Sequence, residues 1–278
     1  KQVTPYRIWI SEIMLQQTQV QTVIPFFKRF ISKYPNLKSL SVASEDEILA
    51  LWSGLGFYRR AKNIYKTKEI IKHDYKNTFP KKFEELIALP GIGKSTAGAI
   101  MSLAYQEPYP ILDANVKRVI SRFENIERDE KKLWKLSEEL TPKNNIFAYT
   151  QGIMDLGATA CSIREPECHS CPVVKICNSA FQTSVQAPKK NKEKSIKKIN
   201  FTLAHSQQSF LLFKKEEKTF WESLWVPFDN KNSKKEMIFK KPKKTKITNI
   251  NHALSHLNLD ITVEIFEYNA PFKIKTNL

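Results

Sequence analysis

The sequence predicts a mainly α-helical domain over residues 1–182, a basic linker over 183–198 and a smaller α+β domain over 199–278. Three observations support this division. Apolar residues recur at three- and four-residue spacing between residues 6 and 157, which is the pattern of amphipathic helices. Residues 183–198 carry Pro188 and six lysines, a composition typical of linkers. Beyond them, apolar residues alternate with period two, which indicates strands.

Apolar stripes predict the helices of the first domain, because residues three or four positions apart share one helix face. Ser44 and Glu47 have the spacing of a capping box, which marks the start of one helix. The stripes are Ile24-Phe27-Phe30-Ile31, Ile48-Leu49-Trp52 and Val116-Val119-Ile120. We therefore expect a run of helices that ends at a cysteine-containing loop.

The second domain is predicted from three strand-like segments, Asn200–Leu203, Ser209–Phe213 and Leu259–Phe266. In the last of these, apolar residues occupy every second position, as on one face of a half-buried strand. All seven glycines of the chain lie at or before Gly157. This domain therefore has no glycine for a phosphate-cradling loop, which argues against a nucleotide-hydrolase site.

The formal net charge of +17 favours encounter with polyanions, of which nucleic acid is the usual one. A lysine-biased composition that only keeps the protein soluble explains the charge equally well. No apolar run approaches the roughly 18–20 residues needed to cross a bilayer. The first residues lack the apolar segment of a signal peptide. We expect no membrane partner and a cytoplasmic location.

Four cysteines, the only ones in the chain, are spaced as Cys161-x6-Cys168-x2-Cys171-x5-Cys177. An all-thiolate ligand set selects zinc or an iron–sulfur cluster. Structural zinc sites usually show two C-x2-C pairs, whereas this loop has one. The spacing favours a [4Fe-4S] cluster, with zinc or disulfides as the alternatives. A cluster or zinc implies a reducing, intracellular setting.

The segment from Leu89 to Ala97 contains Gly91 and Gly93 on either side of one apolar residue, followed by Lys94. Such a hairpin leaves backbone N–H groups at the start of the next helix, where they and the helix dipole attract an anion. Lys94 adds a positive charge. The segment has the form of a helix-hairpin-helix that holds a DNA phosphate without reading sequence. A plain connection between two helices is the alternative.

Two carboxylates lie in suggestive surroundings. Glu12 lies on a helix that is apolar nearly all round, and burial there raises the pKa of a carboxyl enough for general acid catalysis. Asp113 precedes a helical stretch and is suited to stabilise a developing cation. Considered alone, Glu12 fits a solvated helix residue and Asp113 fits an N-cap, so the residues by themselves leave both roles open.

The turn from Gly54 to Arg60 presents Leu55 and Phe57 beside two arginines. Apolar and aromatic side chains in such a loop are suited to insertion between stacked bases. The alternative is an ordinary turn whose aromatic residue belongs to the core.

Together these segments resemble the endonuclease III superfamily of base-excision DNA glycosylases. Within it they are similar to the adenine glycosylases that remove adenine opposite 8-oxoguanine (the MutY type). The resemblance is strong over about residues 4–180 and weak over 199–267. The most specific segments are Ser11 to Val20, Leu89 to Ala99, Ile111 to Arg118, Met154 to Ala158 and the cysteine loop.

The resemblance implies roles for individual residues. Glu12 and Asp113 match the catalytic glutamate and aspartate of the family. Ser95 stands where bifunctional relatives carry the lysine that forms a Schiff base with the sugar. Phe57 replaces an intercalating tyrosine. The residues that border the flipped adenine or contact the oxidised guanine are Gln17, Thr18 and Leu55.

The second domain resembles the lesion-reading domain of the family, which is Nudix-like but lacks the hydrolase box. Its recognition loop corresponds to residues 252–256, including Ser255 and His256, and Leu254 replaces the usual phenylalanine. The chain begins inside the family pattern, without the N-terminal segment that helps to close the adenine pocket. It also ends soon after the last predicted strand. We therefore expect a piece of a longer protein with a truncated second domain.

The resemblance implies a monofunctional adenine DNA glycosylase with a [4Fe-4S] cluster. Its partner is double-stranded DNA with A:8-oxoguanine or A:G mispairs, and we expect a monomer. One alternative is a bifunctional glycosylase/lyase, against which Ser95 and the second domain argue. Another is a non-catalytic iron–sulfur protein that binds DNA or transfers electrons, against which Glu12 and Asp113 argue.

Overall fold

A computed structural model of the chain describes residues 3–127, 129–182, 194–207, 209–215, 220–229, 243–254 and 257–269. The chain divides into two units, Lys1–Val185 and Gln186–Leu278. The first is built from helices and the second from strands, and each is described separately below.

The helices of the first unit are α1 (Pro5–Leu15), α2 (Val20–Lys33), α3 (Leu37–Leu40), α4 (Glu45–Trp52), α5 (Arg59–Asp74), α6 (Phe83–Ile87), α7 (Lys94–Ile100), α8 (Ala114–Phe123), α9 (Glu130–Leu140) and α10 (Ile146–Ala158). A π-helical turn, Met101–Tyr105, continues α7. Two short 3₁₀ turns, Cys168–Ser170 and Val174–Ile176, lie in the cysteine loop. Among the described residues, no helix combines the length and apolarity that a membrane crossing needs.

Side-chain caps fix where several helices begin. The predicted capping box at the start of α4 is confirmed, since the Ser44 hydroxyl accepts from the Glu47 amide while the Glu47 carboxylate accepts from the Ser44 amide. Thr4 caps α1, and Pro5 occupies its first turn, where a missing N–H costs nothing. These caps set the ends of the helices that carry the site residues.

Two of the three predicted apolar stripes face the core, and the third is partly wrong. The stripe residues of α4 and α8 are all buried. On α2, however, Ile24 is 39% exposed, and its neighbour Val23 is buried instead. One residue corresponds to about 100° of rotation around a helix. The core face of α2 therefore runs through Val23 and Phe30, which have the i, i+7 spacing of one face.

The main sheet of the second unit is built from the strands β1 (Ser195–His205), β2 (Phe210–Leu211), β5 (Phe228–Asp229), β6 (Lys244–Ala253) and β7 (Leu257–Glu267). Their order is β2-β1-β7-β6, and β5 also pairs with β1. Strands β1 and β7 are parallel along their whole length, whereas β6 is antiparallel to β7. A separate ribbon joins β3 (Phe213–Lys214) to β4 (Trp225–Val226).

The alternation predicted for the last strand is confirmed, because Leu259, Ile261 and Val263 are buried in the core of this unit. The predicted linker end at residue 198 is wrong, since β1 already begins at Ser195. Lysines in this stretch remain exposed while their backbone pairs with β7. The predicted strand Ser209–Phe213 is divided between β2 and β3. All regular elements among the described residues of 194–269 are strands.

Candidate active site

Glu12 lies on α1, one turn before the end of that helix. Burial, as the larger cause, and the negative charge of Asp113 together raise the pKa of its carboxyl to about 7. A solvated helix glutamate would keep its ordinary pKa. At neutral pH, Glu12 is thus present in both protonation states, as a group that gives up and takes back a proton requires.

Asp113 is the N-cap of α8, and its Oδ1 accepts hydrogen bonds from the amides of Asn115 and Val116, at 2.8 and 2.7 Å. The residue is exposed at the surface. Its charge also acts on Glu12, so the two carboxylates are near each other. Capping and catalysis are therefore compatible roles, because the two cap bonds use one carboxylate oxygen and Oδ2 takes part in neither.

Ser95 lies in the first turn of α7, and its hydroxyl accepts a hydrogen bond from the Leu112 amide at 3.0 Å. Leu112 directly precedes Asp113. Helix α7 also contacts the end of α1, because Gln16 Nε2 lies 3.2 Å from the Gly91 carbonyl oxygen and 3.5 Å from Thr96 Oγ1. The folded chain thus brings the segments of Glu12, Ser95 and Asp113 together.

Gly91 and Gly93 differ in what the hairpin requires of them. Gly91 has a φ of +81°, and an added Cβ would come within 2.7 Å of Asn63 Nδ2. Both conformation and space therefore demand glycine there. Gly93 is the N-cap of α7 with an extended φ of −88°, and an added Cβ would meet nothing within 4 Å. Its absent side chain instead leaves the start of α7 open.

The sequence predicts that Lys94 adds positive charge for a phosphate. In the structure it also contacts two side chains. Its Nζ lies 4.0 Å from the centroid of the Trp134 ring and 3.2 Å from Glu138 Oε1. Both partners belong to α9. About half of the Lys94 side chain stays exposed, so a phosphate at the hairpin meets a lysine that already has an acidic partner.

The turn that follows α4 presents one side chain outward and another inward. Gly54 and Gly56 have φ values of +93° and +76°, which favour glycine. Phe57 is 47% exposed, whereas Leu55 is buried. The core-aromatic alternative is therefore wrong for Phe57. Trp52 Nε1 donates to the Gly56 carbonyl at 2.9 Å, which fixes the turn from below.

Arg60 is buried, although the sequence places it next to the exposed Arg59 and close to Phe57. Its guanidinium lies 5.3 Å from the ring centroids of both Trp52 and Phe57, and burial lowers its pKa to about 10. It donates to four backbone carbonyls at 2.6–3.3 Å, those of Ile13, Met14, Gln16 and Gly56. Arg60 thus joins the end of α1 to the turn that carries Phe57, a role that sequence reasoning missed.

Gln17 and Thr18 lie in the turn after α1, beyond Glu12. Gln17 is exposed and has a left-handed φ of 56°. The Thr18 hydroxyl donates to the Gln16 carbonyl at 3.4 Å. Both side chains are therefore on the same end of α1 as the acid. Two other predicted site residues, Ser255 and His256, lie outside the described residues.

The four cysteines line one cavity, together with Arg122 and Val119 of α8. None of the four is joined in a disulfide. Burial raises the pKa of Cys177, and repulsion from the other three cysteines adds to this effect. Within the described part of the chain, no three His, Cys, Asp or Glu side chains are grouped so as to hold a single metal ion. The thiols therefore surround a shared space without converging on one point.

Two arginines of α8 hold the start of the cysteine loop. Arg118 donates to the Cys161 carbonyl at 2.8 Å and to Asn115 Oδ1 at 3.0 Å. Arg122 Nη1 lies 3.4 Å from Cys161 Sγ, and Nη2 donates to the Ile163 carbonyl at 2.9 Å. One helix therefore carries Asp113 at its cap and anchors the first cysteine further along.

Comparison with known proteins gives consistent matches. Residues 10–143 match the model of the HhH-GPD superfamily of base excision DNA repair proteins. The adenine DNA glycosylase of Buchnera aphidicola subsp. Schizaphis graminum is 45% identical over 277 residues, which cover 94% of this chain and 80% of that protein. The human adenine DNA glycosylase is 37% identical over 181 residues, covering 63% of this chain and 33% of the human protein.

Solved structures agree with the helical fold. A thermostable thymine-DNA glycosylase has a TM-score of 0.58 at 31% identity, covering 64% of this chain and 84% of that one. A trapped endonuclease III–DNA intermediate also has a TM-score of 0.58, at 24% identity, covering 65% and 86%; this likeness shows the fold alone. The resemblance read from the motifs is confirmed, and the chain belongs to the adenine DNA glycosylases of the HhH-GPD base excision repair superfamily.

Proposed function

We propose that this chain is a monofunctional glycosylase that hydrolyses the N-glycosidic bond of adenine opposite 8-oxoguanine or guanine in DNA. One observation carries the proposal: Glu12, with a pKa of about 7, lies near the carboxylate of Asp113. Two carboxylates in unlike surroundings are what hydrolysis of a glycosidic bond requires. The names of the relatives supply adenine as the base.

In the proposed reaction, protonated Glu12 donates its proton to a ring nitrogen of the flipped adenine. The C1′–N bond then breaks, and its electron pair leaves with the now neutral base. The sugar is left as an oxocarbenium ion. Glu12, as a carboxylate, takes a proton from the water that attacks C1′, so the acid is regenerated.

Asp113 stabilises the sugar cation electrostatically. Its two cap bonds hold Oδ1 against the start of α8. We assign Oδ2 to the cation, because that oxygen takes part in neither cap bond. The N-terminus of a helix also favours negative charge on the residue that caps it. The cap is thus the device that holds the carboxylate in place.

We assign the DNA-binding surface to the segments that adjoin the end of α1. The hairpin at Gly91 and Gly93 offers backbone amides to a phosphate. Phe57, exposed on a turn fixed by glycines, is suited to insertion into the base stack once adenine has flipped out. We assign Gln17, Thr18 and Leu55 to the space beside the flipped base.

We further propose that Cys161, Cys168, Cys171 and Cys177 hold a [4Fe-4S] cluster. An all-thiolate donor set around one cavity supports it. The ligands of a four-iron cluster bind four separate irons, so their sulfur atoms are spread more widely than around one zinc ion. Thiols that share a cavity without forming a single-ion site fit the cluster better. When bound, the cluster supplies structural order to the loop.

For the second unit we propose the lesion-reading role of a Nudix-like domain. Strand β6 ends at Ala253 and β7 begins at Leu257, and the Leu254 amide donates to the Leu257 carbonyl at 2.8 Å. We assign Ser255 and His256, which lie between these strands in the sequence, to the base opposite adenine. The sheet and this hairpin are the support for the assignment, together with the weak resemblance in sequence.

A nicking assay tests the reaction class. An A:8-oxoguanine duplex labelled on the adenine strand is incubated with the protein, with and without alkali afterwards. A monofunctional glycosylase yields a cut strand only after alkali, because the abasic site stays intact until then. Cutting without alkali indicates the bifunctional alternative, and no cutting in either case refutes the glycosylase. The visible charge-transfer absorption of an iron–sulfur cluster, together with the iron content of the purified protein, tests the cluster.

A further inference from the structure

The short segment Tyr109–Leu112 leads directly to Asp113 and has no regular secondary structure. Ile111 and Leu112 are nevertheless buried. Backbone N–H and C=O groups that are buried outside helices and sheets need other partners, because an unpaired group costs free energy. The partners of this segment therefore determine where Asp113 lies.

Three serine hydroxyls, each from a different element, supply those partners. Ser102, in the π-helical turn, donates to the Tyr109 carbonyl at 2.8 Å. Ser137, on α9, donates to the Ile111 carbonyl at 2.8 Å. Ser95, on α7, accepts from the Leu112 amide at 3.0 Å. The segment is thus tied to three helical elements before it reaches Asp113.

Close packing limits the segment further. A Cβ added at Gly98 of α7 would lie only 2.2 Å from the Pro110 carbonyl oxygen. The backbone of the segment therefore rests directly on α7, one turn along from Ser95. Pro110 also has a fixed φ, which removes one degree of freedom. Together these contacts restrict where the segment can lie.

We infer that Ser95, Ser137 and Ser102 are positioning residues that place the Asp113 carboxylate relative to Glu12, with Ser95 the most important. The inference rests on the proposed function. Ser95 anchors the residue next to Asp113, whereas Ser137 anchors two residues away and Ser102 four residues away. Ser95 therefore does more than replace the lysine of bifunctional relatives, because its hydroxyl fixes Leu112, the residue before Asp113.

The consequence is a graded effect on chemistry. Stabilisation of the sugar cation depends on the placement of Asp113, and a misplacement of about 1 Å costs about 10²-fold in rate. We expect Ser95→Ala to slow single-turnover excision by about 10- to 100-fold. Ser137→Ala slows it less and Ser102→Ala least. Duplex binding stays near that of the wild type in all three, because none of them is assigned to DNA.

The order of these effects separates positioning from simple stabilisation. Ser102 is 0% and Ser137 1% exposed, whereas Ser95 is only partly buried. If the hydroxyls merely stabilise the fold, the losses follow burial and are largest at Ser102 and Ser137. If they position Asp113, the rate loss is largest at Ser95 although its stability loss is the smallest.

The experiment measures single-turnover excision at saturating protein, duplex affinity and the unfolding midpoint for each variant. Ser95→Thr keeps a hydroxyl acceptor and restores most of the rate, and it also serves if Ser95→Ala folds poorly. Ser44→Ala is the matched control, because it removes the α4 cap hydroxyl far along the chain from the segment. It lowers stability without slowing excision.

The outcomes are distinguishable. A wild-type protein that excises no adenine refutes the proposed function. A wild-type protein that excises adenine, with Ser95→Ala equally fast, refutes only the positioning role. Rate losses that follow burial, or that Ser44→Ala reproduces, also refute it. A dominant loss at Ser95 with Thr rescue supports it.

Discussion

The end of α1 and the start of α8 each present one carboxylate, in opposite surroundings. Glu12 lies within a helix among apolar residues, where desolvation is the main cause of its raised pKa. Asp113 lies at a helix N-terminus, exposed, with two amides donating to it. This contrast matches the proposed roles: Glu12 keeps a proton near neutral pH, and the Asp113 carboxylate faces the sugar cation.

The two regions are also held in different ways. The end of α1 is fixed by one buried cation, Arg60, which donates to three of its carbonyls. The approach to Asp113 is fixed by neutral hydroxyls. A cation beside the carbonyls at a helix C-terminus complements the dipole there. Hydroxyls add no charge, so they position Asp113 without altering the field at the sugar.

Glu12→Gln removes the proposed proton donor and has the largest expected effect on excision. We expect single-turnover excision to fall by about 10³-fold or more, since general acid–base catalysis is worth about 10²–10⁴-fold and Glu12 acts in both halves of the reaction. Duplex affinity should change little. Glu45→Gln, on α4, is the matched control. A Glu12→Gln variant that excises at the wild-type rate removes Glu12 from the mechanism.

Asp113→Asn and Asp113→Ser separate charge from capping. Asparagine and serine both cap helices well, so stability should change by less than about 1 kcal/mol. Neither has a charge for the cation, and we expect excision to fall by about 10²–10³-fold. The rates and the urea unfolding midpoints are compared. If stability falls and the rate changes only a few-fold, the cap is the only role of Asp113.

Sequence patterns predict the structural features that depend on residues close together in the chain. The Ser44–Glu47 box, the burial of β7 at every second residue and the helical start at Asp113 all depend on residues a few positions apart, and sequence reasoning found them. Contacts between distant segments were missed. Arg60 looks like a DNA-facing arginine until three of its four carbonyl partners, more than 40 positions away, are known. Lys94 likewise meets Trp134 and Glu138 only after folding.

Pairing between distant segments also explains why the sequence wrongly predicts a linker up to residue 198. Ser195–Lys198 has the composition of a linker, and its strand conformation comes from pairing with Leu257–Asp260. In the candidate site, residue types and motif spacing single out Glu12, Ser95 and Asp113, and the fold brings their segments together. Those patterns did not predict that serines hold the segment before Asp113, because a lone serine carries no periodic signal.

Arg60→Met tests the support of the α1 region. The substitution removes four donated hydrogen bonds and leaves buried carbonyls unpaired, so we expect about 2–4 kcal/mol loss of unfolding free energy. Excision should slow as Phe57 and the end of α1 lose their common anchor. Arg59→Met, the exposed neighbour, is the control and should cost less than about 0.5 kcal/mol. Equal losses in the two variants contradict the assigned role.

The pH profile tests the charge interaction between the regions. In the proposed mechanism excision requires protonated Glu12, so the rate should fall as the pH rises above about 7. In Asp113→Asn the repulsion is lost, the pKa of Glu12 decreases and the alkaline limb moves to lower pH. The shift should be modest, because burial is the larger cause. An unmoved limb contradicts electrostatic contact between the carboxylates.

The raised pKa of Glu12 also makes the free energy of unfolding depend on pH. The Glu12 carboxyl holds its proton more tightly in the folded state than in the unfolded state, where its pKa is near 4.5. This contribution is complete below pH 4.5 and is lost as the pH rises to about 7. Glu12→Gln should therefore flatten that part of the stability profile, as measured by urea unfolding at several pH values.

The gain of Schiff-base trapping expected from Ser95→Lys is small, but this variant tests the region around Asp113 most directly. The wild type should not be trapped on abasic DNA by borohydride, because Lys94 turns toward Trp134 and Glu138. The variant places an amine beside Asp113 and should gain some trapping. A lysine has no acceptor for the Leu112 amide, so the same change loosens the segment and slows excision.

Ser95→Met separates these two consequences, because it loses the acceptor without adding an amine. We expect Met and Lys variants to excise adenine at similarly reduced rates, and only the Lys variant to be trapped. The gain should stay small, since a lysine nucleophile also needs a lowered pKa. Efficient trapping of the wild type contradicts the monofunctional assignment. A Lys variant that excises at the full rate shows that Asp113 stays in place without the Ser95 hydroxyl.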